Sequence, residues 1–85
     1  QENYERAARN FAQAYQKNPD GPKAVDNLLK LGLSLAAMDK DADACVALRQ
    51  LENRFPDASA PIRRRTRQEQ EGLGCAGLLQ ETQNQ

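Results

Sequence analysis

Side chains able to carry out chemistry are scarce in this chain. Histidine is missing from its 85 residues, no serine sits in a nucleophile context, and no glycine-rich loop is present to cradle a phosphate. Asp39, Asp41 and Asp43 alternate as the first ligands of a calcium loop do, but the glycine and the distal bidentate glutamate of such a loop are absent. Acids at the start of a helix, favoured there by the macrodipole, explain the three better. Arg63, Arg64, Arg65 and Arg67 form the one dense basic cluster, and four arginines on a helix can hold phosphates. Glu69 and Glu71 follow, no aromatic residue is interleaved, and three consecutive arginines splay around a helix. A solvated face is therefore the preferred reading, with nucleic-acid or anionic-surface binding as the alternative. Cys45 and Cys75 belong to no C-x-x-C motif, and without histidine zinc finds too few ligands. No enzyme, cofactor or metal is expected.

The elements that carry these residues read as helices. Tyr4, Ala7, Ala8, Phe11, Ala14 and Tyr15 recur at helical spacing and predict a first helix from about Asn3 to Lys17. Asn18-Pro19-Asp20-Gly21-Pro22 breaks it, with Asp20 as the next cap and Pro22 in the next first turn. A second helix from about Pro22 to Met38 turns apolar almost all round after Leu28, as a helix with neighbours on two sides does. After Asp39-Lys40-Asp41, a third helix runs from about Ala42 to Arg54 and closes at Phe55-Pro56. Asp57 and Ser59 offer caps for a fourth from Ala60, with Pro61 in its first turn and Gly72 and Gly74 at its end. Only Ile62, Thr66 and Leu73 make an inward stripe on that helix. The residues 76–85 are small and polar apart from Leu78 and Leu79, and are expected to form a flexible C-terminal tail.

The stretch Ala24–Pro56 has a specific order of bulk. Leu28, Leu31, Gly32 and Leu35 on one helix precede Ala44, Leu48, Leu51 and Pro56 on the next. This is the pattern of a tetratricopeptide repeat, a helix–turn–helix unit of about 34 residues. Gly32 and Ala44 let two antiparallel backbones approach, the leucines fill the seam, and Pro56 cannot continue a helix. Tyr4, Ala7, Phe11, Ala14 and Pro19 repeat the spacings of Asp41, Ala44, Leu48, Leu51 and Pro56 at a constant offset of 37 residues, as from Tyr4 to Asp41. The expected fold is thus all-α: about four antiparallel helices of a right-handed solenoid. A half repeat spans 3–19, a full repeat 22–56 and a polar capping helix 60–74, making a domain of 1–75. In such stacks the first helix of each repeat lines the concave face. Asp26, Leu29, Lys30, Leu33 and Ala37 then form a partner-binding groove suited to an amphipathic segment; the competing reading is that Leu29 and Leu33 only pack against neighbouring helices.

Charges balance at twelve of each sign, which gives no global field for nucleic acid or an anionic membrane. No apolar run approaches the roughly 20 residues that span a bilayer. Cys45, among Ala42, Ala44 and Val46, reads either as a buried free thiol or as half of a disulfide. A fourth helix antiparallel to the third brings Cys75 beside Cys45, which favours the bond and with it an oxidising compartment. The chain opens on Gln1 and without the first half of its first repeat, so a processed or excised piece is expected. Tyr4, Phe11 and Tyr15 are then partly bare, which predicts self-association or a helix-swapped dimer.

PDGPKAVDNLLKLGLSLAAMDKDADACVAL, RFPDASAPIRRR and the Leu73-Gly74-Cys75 ending, with both cysteine positions, carry a more particular likeness. From Tyr4 through Cys75 the chain resembles the C-terminal repeat domain of the periplasmic Tol–Pal system proteins, the cell-division coordinators, in their alphaproteobacterial branch. The resemblance implies a periplasmic, oligomeric adaptor joined to an upstream coiled coil. It also implies contact with the Tol energy-transducing protein and with the peptidoglycan synthase machinery, coordinating cell-wall synthesis with outer-membrane constriction in division. The tail beyond Cys75 departs from that family's pattern.

Overall fold

The computed structural model describes residues 3–83, and among these it is all-helical. Five helices follow one another: α1 (Tyr4–Lys17), α2 (Ala24–Ala37), α3 (Asp41–Arg54), α4 (Ala60–Leu73) and α5 (Cys75–Gln83). The first four are three to four turns long, and their ends follow from local chemistry. Asn3 caps α1 by accepting from the Arg6 N–H at 2.9 Å, and Ser59 caps α4 by accepting from the Ile62 N–H. Gly74 closes α4 at φ 71, a left-handed conformation that glycine adopts without steric cost. Between α2 and α3, the Lys40 N–H reaches the Leu35 carbonyl and the Asp39 N–H reaches that of Ala36. This doubly bonded helix end forces a left-handed residue, and Asp39 supplies it at φ 60.

Helices α1, α2 and α3 form two successive antiparallel hairpins, and α4 packs on both α2 and α3. The core runs through all four: Tyr15, Ala24, Leu28 and Leu51 are buried, with Val25, Leu29, Phe55 and Ile62 packed around them. Alongside, Ala44, Cys45 and Leu48 are wholly buried. The close approach of α2 to α3 is at Gly32, where a Cβ would stand 2.9 Å from Leu48 Cδ2 and 3.0 Å from its Cγ. A side chain at this position fits only if Leu48 shifts. Leu31 and Leu35 are half-buried at the edges of the same seam, as are Ala7 and Phe11 on α1. Thr66 is buried on α4 and spends its hydroxyl on the Ile62 carbonyl at 2.8 Å.

Three expectations need correction. The described part of the supposed tail, residues 76–83, belongs to the helix α5, packed on α3 and α4. Its short length and weak apolar periodicity hide this, because α5 is held by a bond to α3 and not by its own amphipathicity. Tyr15 is not bare: it is buried against Leu28 and Leu51, and its hydroxyl accepts from Gln50 Nε2 at 3.3 Å. Asp20 does not cap α2, which begins after Lys23 without a side-chain cap. Its carboxylate instead pairs with Arg54 at 3.0 Å, across the hairpin.

Candidate protein-binding surface

Residues 29, 30, 33 and 37 lie three, four, seven and eleven positions after residue 26, so the helical period sets all five on one face of α2. Asp26 and Lys30, one turn apart, pair at 3.0 Å and are each about half exposed (51% and 50%). Such a pair contributes only a few tenths of a kcal/mol to the helix. It neutralises the face without hiding it. The Lys30 ammonium also lies 5.8 Å from the centre of the Phe11 ring, which ties α1 to the same surface. Leu29 is half-buried and packs against the core, Leu33 is half-buried, and Ala37 is exposed. The face therefore offers a short apolar strip, Leu33 with the outer part of Leu29. A compensated ion pair borders it at one end and a small residue at the other. Phe11 is the member that reading α2 alone omits; only the antiparallel α1–α2 contact brings it in.

A second concavity, of about 770 Å³, lies between α3, α4 and α5. Arg49, Glu52, Arg67 and Glu71 ring it, and Cys75 and Leu79 contribute apolar surface. Gln70 donates to Glu52 at 2.9 Å across it, fastening α4 to α3.

The basic cluster does not assemble into one anion site. Arg63 Nε donates to the Ala58 carbonyl at 3.0 Å. Arg65 pairs with Glu69 at 3.1 Å, and Arg67 turns to the cleft beside Glu52 and Glu71. Two of the four guanidiniums are thus committed within the chain, and the cluster is dispersed. Asp39, Asp41 and Asp43 lie in the turn and first turn of α3. Among the described residues no group of three or more His, Cys, Asp or Glu is placed to hold a metal ion, and no helix is long and apolar enough to cross a membrane.

Cys45 and Cys75 are joined in a disulfide with a Cα–Cα distance of 5.4 Å. Both are buried, so the bond lies inside the packing of α3 against α5 and fixes the start of α5.

The geometry defines a class. Residues 26–58 match the model of the tetratricopeptide repeat, the stretch that holds α2 from Asp26, all of α3 and the turn at Phe55–Ala58. No curated protein and no solved structure matches the chain. Antiparallel hairpins closed on Gly32 and Leu48, together with that match, support a domain of the tetratricopeptide-repeat type. Such repeats generally mediate protein–protein interaction, and the fold is typically a non-catalytic scaffold.

Proposed function

We propose that this domain is a non-catalytic adaptor of the bacterial cell envelope that binds a protein segment on the α2 face. The observation that carries the binding site is the strip itself: Leu29 and Leu33 held half-exposed between the Asp26–Lys30 pair and Ala37. A half-buried leucine strip gains about 25 cal/mol per Å² of apolar surface when covered. An amphipathic partner segment covers it best, since the bordering ion pair accepts polar flanks.

The cellular setting is an extension of the same proposal. The buried Cys45–Cys75 bond suits an oxidising compartment such as the periplasm. The resemblance of residues 4–75 to the cell-division coordinators points to the Tol–Pal system, with the Tol energy-transducing protein and the peptidoglycan synthase machinery as partners. In that role the domain couples cell-wall synthesis to constriction of the outer membrane. The test is direct binding of the purified, oxidised chain to the periplasmic part of the Tol energy-transducing protein, with Leu33→Glu as the matched variant. Binding to the chain and not to Leu33→Glu supports both levels of the proposal. Binding that Leu33→Glu leaves intact removes the α2 site. No binding to the Tol protein or a peptidoglycan synthase removes the Tol–Pal assignment.

A further inference from the structure

Helix α5 cannot stand alone. It has nine residues, fewer than the roughly 12–15 that an isolated helix needs in water, and Gly77 in its first turn weakens it further. Of residues 75–79 only Cys75 is buried; Leu78 and Leu79 are half-buried, and Ala76 and Gly77 are exposed. The bond to Cys45 is therefore its main hold, placed at its first residue, directly after the left-handed Gly74. The core of Tyr15, Leu28 and Leu51, by contrast, includes no α5 residue, and Gln70 fastens α4 to α3 without it. Yet α5 forms one wall of the cleft of about 770 Å³ through Ala76, Gly77 and Leu79, with α3 and α4 forming the others.

We propose that the Cys45–Cys75 bond is a redox latch on this cleft. Cleaved, it lets α5 turn away about Gly74, which opens the cleft and uncovers Cys45 while α1 to α4 stay packed. As they stand the sulfurs are closed to solvent, with Cys45 at 0% and Cys75 at 4% exposure. Fraying of α5 back to Ala76, a local opening of one short helix, bares the Cys75 sulfur first. The reductant is a dithiol. Its first thiolate attacks Cys75 Sγ, forming a mixed disulfide and releasing Cys45 as a thiolate. Its second thiolate then attacks the reductant's own sulfur in that mixed disulfide and releases Cys75. The dithiol leaves oxidised to a disulfide, and its two protons end on Cys45 and Cys75. A small disulfide runs the same exchange backwards and closes the cleft. The α2 face takes no part, so the latch and the partner site stand or fall separately.

Reducing the whole oxidised chain with dithiothreitol, and following its backbone amide resonances, tests this. Residues 76–79 are expected to move to unstructured positions and to exchange about tenfold faster or more, while α1 and α2 keep their helical shifts. Oxidised glutathione restores the first spectrum. Because opening of α5 admits the reductant, the rate of reduction follows the strength of that helix. Gly77→Ala, whose new methyl meets nothing within 4 Å, slows reduction by up to about fivefold, and Leu79→Gly speeds it. Neither residue belongs to the core of Tyr15, Leu28 and Leu51. Helical shifts at 76–79 that survive reduction overturn the proposal, as does loss of the α1 and α2 resonances together with those of α5. A reduction rate indifferent to both substitutions overturns it too.

Discussion

Gly32→Ala and Gly72→Ala are the same chemical change made in two helices, and the structure predicts opposite signs. Replacing glycine by alanine in a helix interior lowers the backbone entropy lost on folding and gains up to about 1 kcal/mol. At Gly72, in the last turn of α4, a Cβ meets nothing within 4 Å, so part of that gain is expected, up to about 0.5 kcal/mol. At Gly32 the new methyl falls 2.9 Å from Leu48 Cδ2 and 3.0 Å from Leu48 Cγ. Leu48 has no exposed surface and therefore no empty space to retreat into. Overpacking of this kind costs about 1–3 kcal/mol. The propensity gain offsets part of it, leaving a net loss of about 1 kcal/mol. In a domain of this size that lowers Tm by about 4–8 °C. The assay is urea unfolding followed by circular dichroism, with a third pair to isolate the clash. In a Leu48→Ala background, itself destabilised by about 2–5 kcal/mol, the obstructing atoms are gone. Gly32→Ala then becomes stabilising, with a coupling energy of about 1–2 kcal/mol between the two sites. If Gly32→Ala stabilises the unmodified chain as much as Gly72→Ala does, or shows no coupling to position 48, the close packing of α2 on α3 is wrongly described.

Other consequences follow from single features. Cys45 and Cys75 lie 30 residues apart, so removing their bond by a double change to alanine is expected to cost about 3.5 kcal/mol in the loop-entropy treatment, and amide exchange in α5 should accelerate before that in α2; equal protection in both forms contradicts the tethering role. Asp39 holds φ 60 at the end of α2, a conformation costly for most side chains, so Asp39→Gly should raise stability by about 0.5–1 kcal/mol in the same unfolding assay, whereas a loss means that its carboxylate matters more than its backbone.

The repeat was legible because its signal is a pattern of sizes. Gly32, Ala44 and Leu48 stand at spacings that only a close antiparallel crossing requires, and the copy at Tyr4–Pro19 repeats part of that pattern. The Cys45–Cys75 pair could be placed for the same reason: once α4 runs back along α3, its end returns to the start of α3. Features that depend on distant partners were not legible. α5 is short, carries Gly77 and lacks a clear apolar stripe, so by itself it reads as tail; a bond to α3 holds it there. Tyr15 sits on the stripe of α1 that reaches Leu51 and Gln50, 35 residues away in the case of Gln50, and no local pattern announces that contact. Asp20 looked like a cap because of its neighbours Pro19 and Gly21, whereas Arg54 claims it from the far end of α3. Of the candidate surface, the five α2 positions were readable from helical period alone. Phe11, joined to them through Lys30, was not.

The account rests most heavily on the α2 face as the place where a protein partner settles. Titrating the isotope-labelled chain with the periplasmic part of the Tol energy-transducing protein, and following backbone amide resonances, tests it residue by residue. The expected result is a contiguous set of shifts at Asp26, Leu29, Lys30, Leu33 and Ala37, with Phe11 included and the set little changed by moderate salt. Shifts confined to Arg63–Arg67 that fade steeply as salt rises contradict it.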